Sequence, residues 1–239
     1  MDELSPGRAA ALAGVLFVVL VAVGSFIAGA PPGADASAES LDAYFVDHHK
    51  VLVVGAVLTS VAAPCLVWLF AGLAGALRRA GEGPIAAVTF GAGVAAVALA
   101  AASDAIWVTL VQLSWTGESE FVKSGYELSG FFIQKAFWFA AFAALAASLA
   151  ARRVLARWYE RSTIAAGGLF ALGGISVKPD GFMGVNGDMA LIGFFALLAW
   201  VLATSFLLWR EPAPGEAPAA VSTSGQETLA WRSPAVCAT

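Results

Sequence analysis

Long apolar runs alternate with short polar stretches along most of this chain, and the alternation predicts membrane-spanning helices. A helix needs about 20 mostly apolar residues to cross the hydrocarbon core of a bilayer. Six segments fit this description, with approximate bounds Ala9–Ala30, Val51–Leu77, Pro84–Leu113, Phe131–Ala151, Thr163–Val177 and Met189–Trp209. The pattern therefore predicts an all-α fold, a polytopic bundle of about six transmembrane helices within residues 1–210.

The fifth apolar segment differs from the others because it is short and rich in glycine. It contains Gly167, Gly168, Gly173 and Gly174. Small residues let a neighbouring helix approach closely in a membrane. Irregular backbone at membrane depth is tolerated only where other helices cover it. We therefore expect a thin, broken or re-entrant helix that its neighbours bury.

The overall composition supports a membrane protein. Hydrophobic residues make up 59% of the 239 residues and charged residues only 13%, whereas soluble domains carry about 25% charged residues. The two cysteines, Cys65 and Cys237, lie in a span and in the C-terminal segment. This placement gives no disulfide framework and no cysteine-based metal site.

Basic residues between the predicted spans indicate the orientation of the bundle. Cytoplasmic loops of membrane proteins are enriched in Lys and Arg. Six spans place eight arginines at one end of the bundle: Arg8, Arg78, Arg79, Arg152, Arg153, Arg157, Arg161 and Arg210. The opposite end carries nine acidic residues together with Lys50, Lys123 and Lys178. We therefore expect both termini in the cytoplasm and a multi-pass protein of the cell membrane.

Two terminal features need separate interpretation. Ala28, Gly29 and Ala30 resemble a signal-peptide cleavage site, but Pro31 follows the expected cut, so we expect the first span to stay as an anchor. Residues 211–239 are rich in Pro, Ala, Ser, Gly and Thr. Such a composition buries too little apolar surface to offset the entropy of ordering, which predicts a disordered cytoplasmic tail.

Asp104 is the acidic residue that the pattern places deepest in a span. It lies nine residues before the outer end of the third span, which is about 13 Å at 1.5 Å per residue. A charged side chain at the bilayer centre costs about 2.5–3.5 kcal/mol on insertion scales, and such residues usually face the bundle interior. Lys135 in the fourth span reaches a similar depth. We expect the two to form an ion pair or to share a polar pocket near the outer leaflet.

Four further side chains complete the predicted ligand-binding set around Asp104 and Lys135: Trp107, Gln112, Gln134 and Trp138. Purely structural roles are the alternative to this ligand-binding hypothesis. In one alternative, the Lys135 side chain snorkels to the membrane–water interface, as lysines near helix ends do. Alternatively, the Asp104–Lys135 pair has only the structural role of fixing helix register. The tryptophans then only pack against neighbouring side chains.

Several function classes lose support because their motifs are missing from the sequence. The chain has no phosphate-binding loop with its lysine, no G-x-S-x-G and no paired aspartate motif for a diphosphate. His48 and His49 are the two histidines; as neighbours on one helix they point to different sides, which suits neither a metal pair nor a haem with two histidine ligands. No basic face suits nucleic acid. We expect no metal and no cofactor.

Three hypotheses from different classes remain. We favour a non-enzymatic protein of the lipid bilayer that binds a lipophilic small molecule or a partner helix at its outer half. Another membrane protein and a second copy of this chain in a homo-oligomer are the candidate protein partners, and the sequence does not fix the oligomeric state. The second is a membrane-embedded cyclase or isomerase in which Asp104 donates a proton. Its discriminating feature is a second acid that converges on Asp104. The third is a transporter or export component.

Several stretches carry a resemblance to a known group of proteins. They are Asp35–Glu39 running into Ala43–His49, Trp68–Leu73 with Leu77 and Arg78, Pro179–Phe182, and Trp200–Ser205 with Arg210. In these stretches the chain resembles a large family of uncharacterised multi-pass membrane proteins of actinobacterial type. The resemblance implies a six-helix bundle and contributes no activity.

Overall fold

Six helices account for the regular secondary structure of the described residues in the computed structural model. The description covers residues 5–29, 31–33, 36–115, 119–154, 157–175 and 188–210, without the side chains of 152–154 and 188. The helices are α1 Pro6–Ala28, α2 Ala38–Arg79, α3 Gly83–Leu113, α4 Ser119–Val154, α5 Arg157–Gly173 and α6 Asp188–Trp209. The predicted tail, the end of the fifth predicted span and the connection before α6 lie outside the described residues.

The all-α fold predicted from the sequence is confirmed. Five helices, α1 to α4 and α6, are long and apolar enough to cross a membrane, so the chain is a membrane protein. The fifth helix is displaced toward the N-terminus, beginning at Arg157 rather than Thr163. Its 17 residues measure about 26 Å at 1.5 Å per residue, slightly less than the ~30 Å hydrocarbon core.

Two helices extend much further than their apolar segments. α2 begins at Ala38, and its 42 residues measure about 63 Å, roughly twice the hydrocarbon thickness. Ser37 caps its first turn, where the side chain accepts a hydrogen bond from the Ser40 amide at 3.2 Å, and Glu39 favours the positive end of the helix dipole. α4 likewise begins at Ser119. The polar segments before these two spans are therefore helical extensions.

The helices form a closed ring in sequence order. Each packs against the next, α6 packs against α1, and α2 also contacts α4 and α6. We call the end that carries Arg8, Arg79 and Arg210 the inner end and the opposite end the outer end. The main core lies in the inner half, where leucines of α2 such as Leu69 and Leu73 meet the alanines of α4.

Glycine allows a close backbone contact between α5 and α6. A Cβ added to Gly173 would lie 3.2 Å from the Cα of Gly193 on α6, and the reverse distance is 3.3 Å. Closer to the inner end, the hydroxyls of Tyr159 and Thr204 are 2.9 Å apart in the core. The small residues of the fifth segment therefore permit close packing, as the sequence predicted.

A second core fills the outer end, where the helical extensions meet. Phe45 of α2, Leu110 of α3 and Tyr126 of α4 belong to it, and we call this region the outer cap. The Tyr126 hydroxyl donates to the carbonyl of Pro32 at 2.9 Å. The Tyr44 hydroxyl donates to the carbonyl at the end of α1. Both bonds tie the α1–α2 connection to the outer cap.

Candidate functional site

A cavity lies at the centre of the helix ring, between the inner core and the outer end. It has two parts, an inner chamber of about 270 Å³ and a more open outer chamber of about 320 Å³. Four residues line both chambers: Ser25, Thr59, Asp104 and Phe194. The chambers therefore meet at Asp104, the acid that the sequence singled out.

The inner chamber is apolar except at its junction with the outer one. Its walls come from α1, α2, α3, α4 and α6, and only Ser25, Thr59 and Asp104 among its 18 lining residues are polar. Phe70 and Phe137 lie at the deep end, beside the inner core. A molecule in this chamber would meet hydrocarbon along its length and oxygen atoms at one end.

Small side chains on α3 and α4 leave room for the chamber. Ala96, Ala100 and Asp104 follow one another at four-residue intervals and share one face of α3, and all three line the chamber. Ala136 and Ala140 repeat this spacing on α4. Because methyl groups stand where larger apolar residues would close the gap, the alanine faces keep the centre of the ring open.

Asp104 lies half-buried beside one polar neighbour from another helix. The Thr59 side chain of α2 lies next to its carboxyl group, and both residues line the two chambers. The Thr59 hydroxyl also donates to the carbonyls of Gly55 at 3.2 Å and Ala56 at 3.0 Å. One hydroxyl carries one hydrogen, so this donor is shared, and a carboxylate accepts about four hydrogen bonds. Acceptor capacity at Asp104 is therefore left for a further donor.

Trp107 is the second predicted site residue that the structure brings to the cavity. It lines the outer chamber together with Asp104. Its ring also packs against Phe45 at 5.2 Å and Tyr126 at 5.8 Å between centroids. The packing interpretation and the cavity-wall interpretation of this tryptophan therefore both apply.

The structure places Lys135 away from Asp104. The two described side chains form no ion pair within 4.0 Å, and Lys135 lines neither chamber. Its ammonium lies 4.7 Å from the centroid of the Phe131 ring. Four residues of α4 line the inner chamber. At 100° per residue, their mean direction lies about 150° around the helix axis from Lys135. The expected ion pair is therefore absent, because similar depth does not give the same face.

The remaining predicted residues also lie outside the cavity lining. Trp138 donates its indole N–H to the carbonyl of Gly174 at 3.0 Å, next to the end of α5. Gln134 is buried, and its amide nitrogen has no hydrogen-bond partner among the described residues. Gln112 is exposed, about 90° around α3 from the cavity face. These three side chains belong to other surfaces of their helices.

Ser25, Thr59 and the phenylalanines of the cavity were not predicted as site residues. Ser25 and Thr59 are polar side chains within apolar spans, and that signal was present in the sequence. Phe194, which lines both chambers, gave no such signal because it is one of 16 phenylalanines in an apolar chain. Only the packed structure selects it.

The fold and the cavity define the class of this protein, a helical membrane protein with an apolar central cavity around one carboxyl group. Comparisons with protein families, with curated proteins and with solved structures give no match for this chain. Its function must therefore be inferred from the geometry of the cavity itself.

Proposed function

We propose that this protein binds a lipophilic small molecule in the cavity around Asp104 without converting it chemically. The observation that carries the proposal is the pair of chambers, about 270 and 320 Å³, that meet at one carboxyl group. Ligand pockets are typically about 300–1,000 Å³, mostly apolar, with few polar groups. Five helices surround the inner chamber, which favours a small molecule over a partner helix.

The polar junction, rather than the apolar wall, supplies the selectivity in this proposal. A lipophilic ligand in a bilayer is already out of water, and lipid tails are about as apolar as leucine. Moving such a ligand into the cavity therefore gains little from the hydrophobic effect. The ligand is held by dispersion contacts that fit its shape and by its contact with Asp104, Thr59 and Ser25.

The absence of a second acid from the described cavity lining favours binding over acid catalysis. Asp104 is the single acidic residue among the described residues that line the two chambers. Glu127 is exposed on the outer part of α4. Asp180 and the side chain of Asp188 lie outside the described part of the chain. The described lining supplies no second acid that converges on Asp104, the feature that would distinguish a cyclase or isomerase from a binding protein.

The membrane and orientation belong to the same proposal. We place the chain in the cell membrane with both termini in the cytoplasm, because the arginines collect at the inner end of the ring. Arg8 lies at the start of α1, Arg79 ends α2 and Arg210 follows α6. The cavity then lies in the outer half of the bundle and meets ligands of the outer leaflet.

The proposal is tested by the compounds that the protein retains through purification. Wild type, Asp104→Asn and Asp47→Asn are purified in the same mild detergent, and their organic extracts are compared by mass spectrometry. Asp47 is an exposed acid on α2 outside both linings, so it controls for the loss of one charge. We expect a defined compound in wild type and Asp47→Asn that is depleted at least ten-fold in Asp104→Asn.

Two results would contradict the proposal. Identical extracts containing only bulk lipid from all three proteins would show that the cavity retains no specific ligand. Conversion of the retained compound by the purified wild type, with loss of conversion in Asp104→Asn, would replace binding by catalysis.

A further inference from the structure

The geometry points to a lipophilic amine as the ligand: a molecule with an apolar body and one protonated nitrogen that pairs with Asp104. This inference rests on the proposed function and specifies the chemical class of ligand for the same cavity. It follows from the charge, the oxygen atoms and the aromatic rings at the junction of the two chambers.

The charge at the junction favours an amine. Among the described residues, Asp104 has no basic side chain within 4.0 Å, and Lys135 points away from the cavity. In a membrane interior a partly buried carboxyl group without a countercharge is costly when it is ionised and otherwise stays protonated. A protonated amine brings that countercharge with it. An alcohol brings only a hydrogen bond, and a fatty acid brings a second negative charge that Asp104 repels.

Oxygen acceptors from three helices line the junction. Ser25 on α1, Thr59 on α2 and Asp104 on α3 all line both chambers. A primary ammonium group has three N–H donors and no acceptor. Hydroxyl and carboxylate oxygens from three helices therefore match the donors of one ammonium group.

Aromatic and apolar side chains surround the junction. Phe194 lines both chambers, and Trp107 lines the outer one. The face of an aromatic ring attracts a cation within about 6 Å. The inner chamber follows α3 from Asp104 to Ala96, eight residues or about 12 Å at 1.5 Å per residue. An alkyl body of about this length fits there with its amine at Asp104.

The inference is tested with three probes that differ only at the polar end: decylamine, decan-1-ol and decanoic acid. Binding to the detergent-solubilised full chain is measured at neutral pH, where an alkylamine is protonated, by native mass spectrometry. We expect wild type to bind decylamine at least ten-fold more tightly than decan-1-ol, and decanoic acid least. Asp104→Asn should lower the amine affinity to that of the alcohol, whereas Asp47→Asn should leave it unchanged.

A second variant guards against a folding defect of Asp104→Asn. Thr59→Val keeps the shape of the junction and removes one oxygen, and we expect it to weaken decylamine binding about three- to ten-fold. Size-exclusion profiles and thermal unfolding verify that each variant is folded before its binding is compared.

The outcomes separate the inference from the proposed function. In one outcome, wild type binds decylamine and decan-1-ol equally, and Ala100→Leu, which narrows the inner chamber, binds neither. This outcome would overturn the amine assignment and leave the binding function standing. Failure of all three probes, together with lipid-only extracts from the purified protein, would overturn both.

Discussion

Narrowing the inner chamber should stabilise the ligand-free protein while it abolishes binding. Ala100 lines the chamber on the same face of α3 as Asp104. Ala100→Leu adds three carbon atoms, on the order of 80 Å³, which is worth about 2 kcal/mol at ~24 cal/mol per Å³ of cavity filled. Imperfect fit and side-chain strain take part of this gain. We therefore expect the free energy of unfolding to rise by about 1–2 kcal/mol.

The matched control is Ala98→Leu, which makes the same chemical change on an exposed face of α3 outside the chamber lining. Thermal unfolding is followed in detergent after exhaustive delipidation, so that no ligand occupies the cavity. For a chain of this size, 1 kcal/mol corresponds to about 2–4 °C. Ala100→Leu should therefore raise the midpoint by about 2–8 °C relative to Ala98→Leu and remove decylamine binding.

A loss of stability in Ala100→Leu would refute this reasoning. If Ala100→Leu unfolds below Ala98→Leu by a few degrees, the space around Ala100 does not accept three carbon atoms and the chamber is not an available void. If Ala100→Leu is more stable but still binds decylamine with wild-type affinity, the amine does not occupy the inner chamber.

Two further predictions probe the packing of α5 and the face of α4. Gly173→Ala should lower the free energy of unfolding by about 1 kcal/mol or more, because its Cβ would lie 3.2 Å from the Gly193 Cα and the two backbones must separate. The control is Gly168→Ala, which has no atom within 4 Å of the added Cβ and should be neutral or slightly stabilising. Thermal unfolding measures both variants. Lys135→Gln should leave decylamine affinity within two-fold of wild type, because Lys135 does not line the cavity of Asp104; a ten-fold change would place its charge at the site.

The spans were predictable because each is a continuous apolar run, and such runs in a membrane must form helices. The outer extensions of α2 and α4 were not, because they are polar on one face and apolar on the other. Phe45 and Tyr126 lie in these extensions and form the outer cap together. Each extension buries its apolar face against the other extension and against α3, so tertiary packing decides its helical state.

Asp104 was identifiable from the sequence because one acid in an apolar span is a strong signal. Its surroundings were not, because they depend on the rotation of each helix about its axis. Within residues 131–151 of α4 the polar side chains are Gln134, Lys135 and Ser148, so hydrophobicity in this span gives little from which the cavity-facing side can be read. Depth alone placed Lys135 beside Asp104. The alanine face that includes Ala136 and Ala140 instead turns toward the cavity.

Two unfavourable features coincide at the centre of this bundle, and one ligand would relieve both. Helix association in a membrane depends on close van der Waals contact, and the helices give up such contacts where they line an empty chamber. A carboxyl group without a basic partner is a second cost, and it lies where the two chambers meet. Filling the void with apolar residues would remove the first cost and leave the acid buried. A protonated amine with an alkyl body fills the void and neutralises the acid together, which is why we assign the cavity to binding.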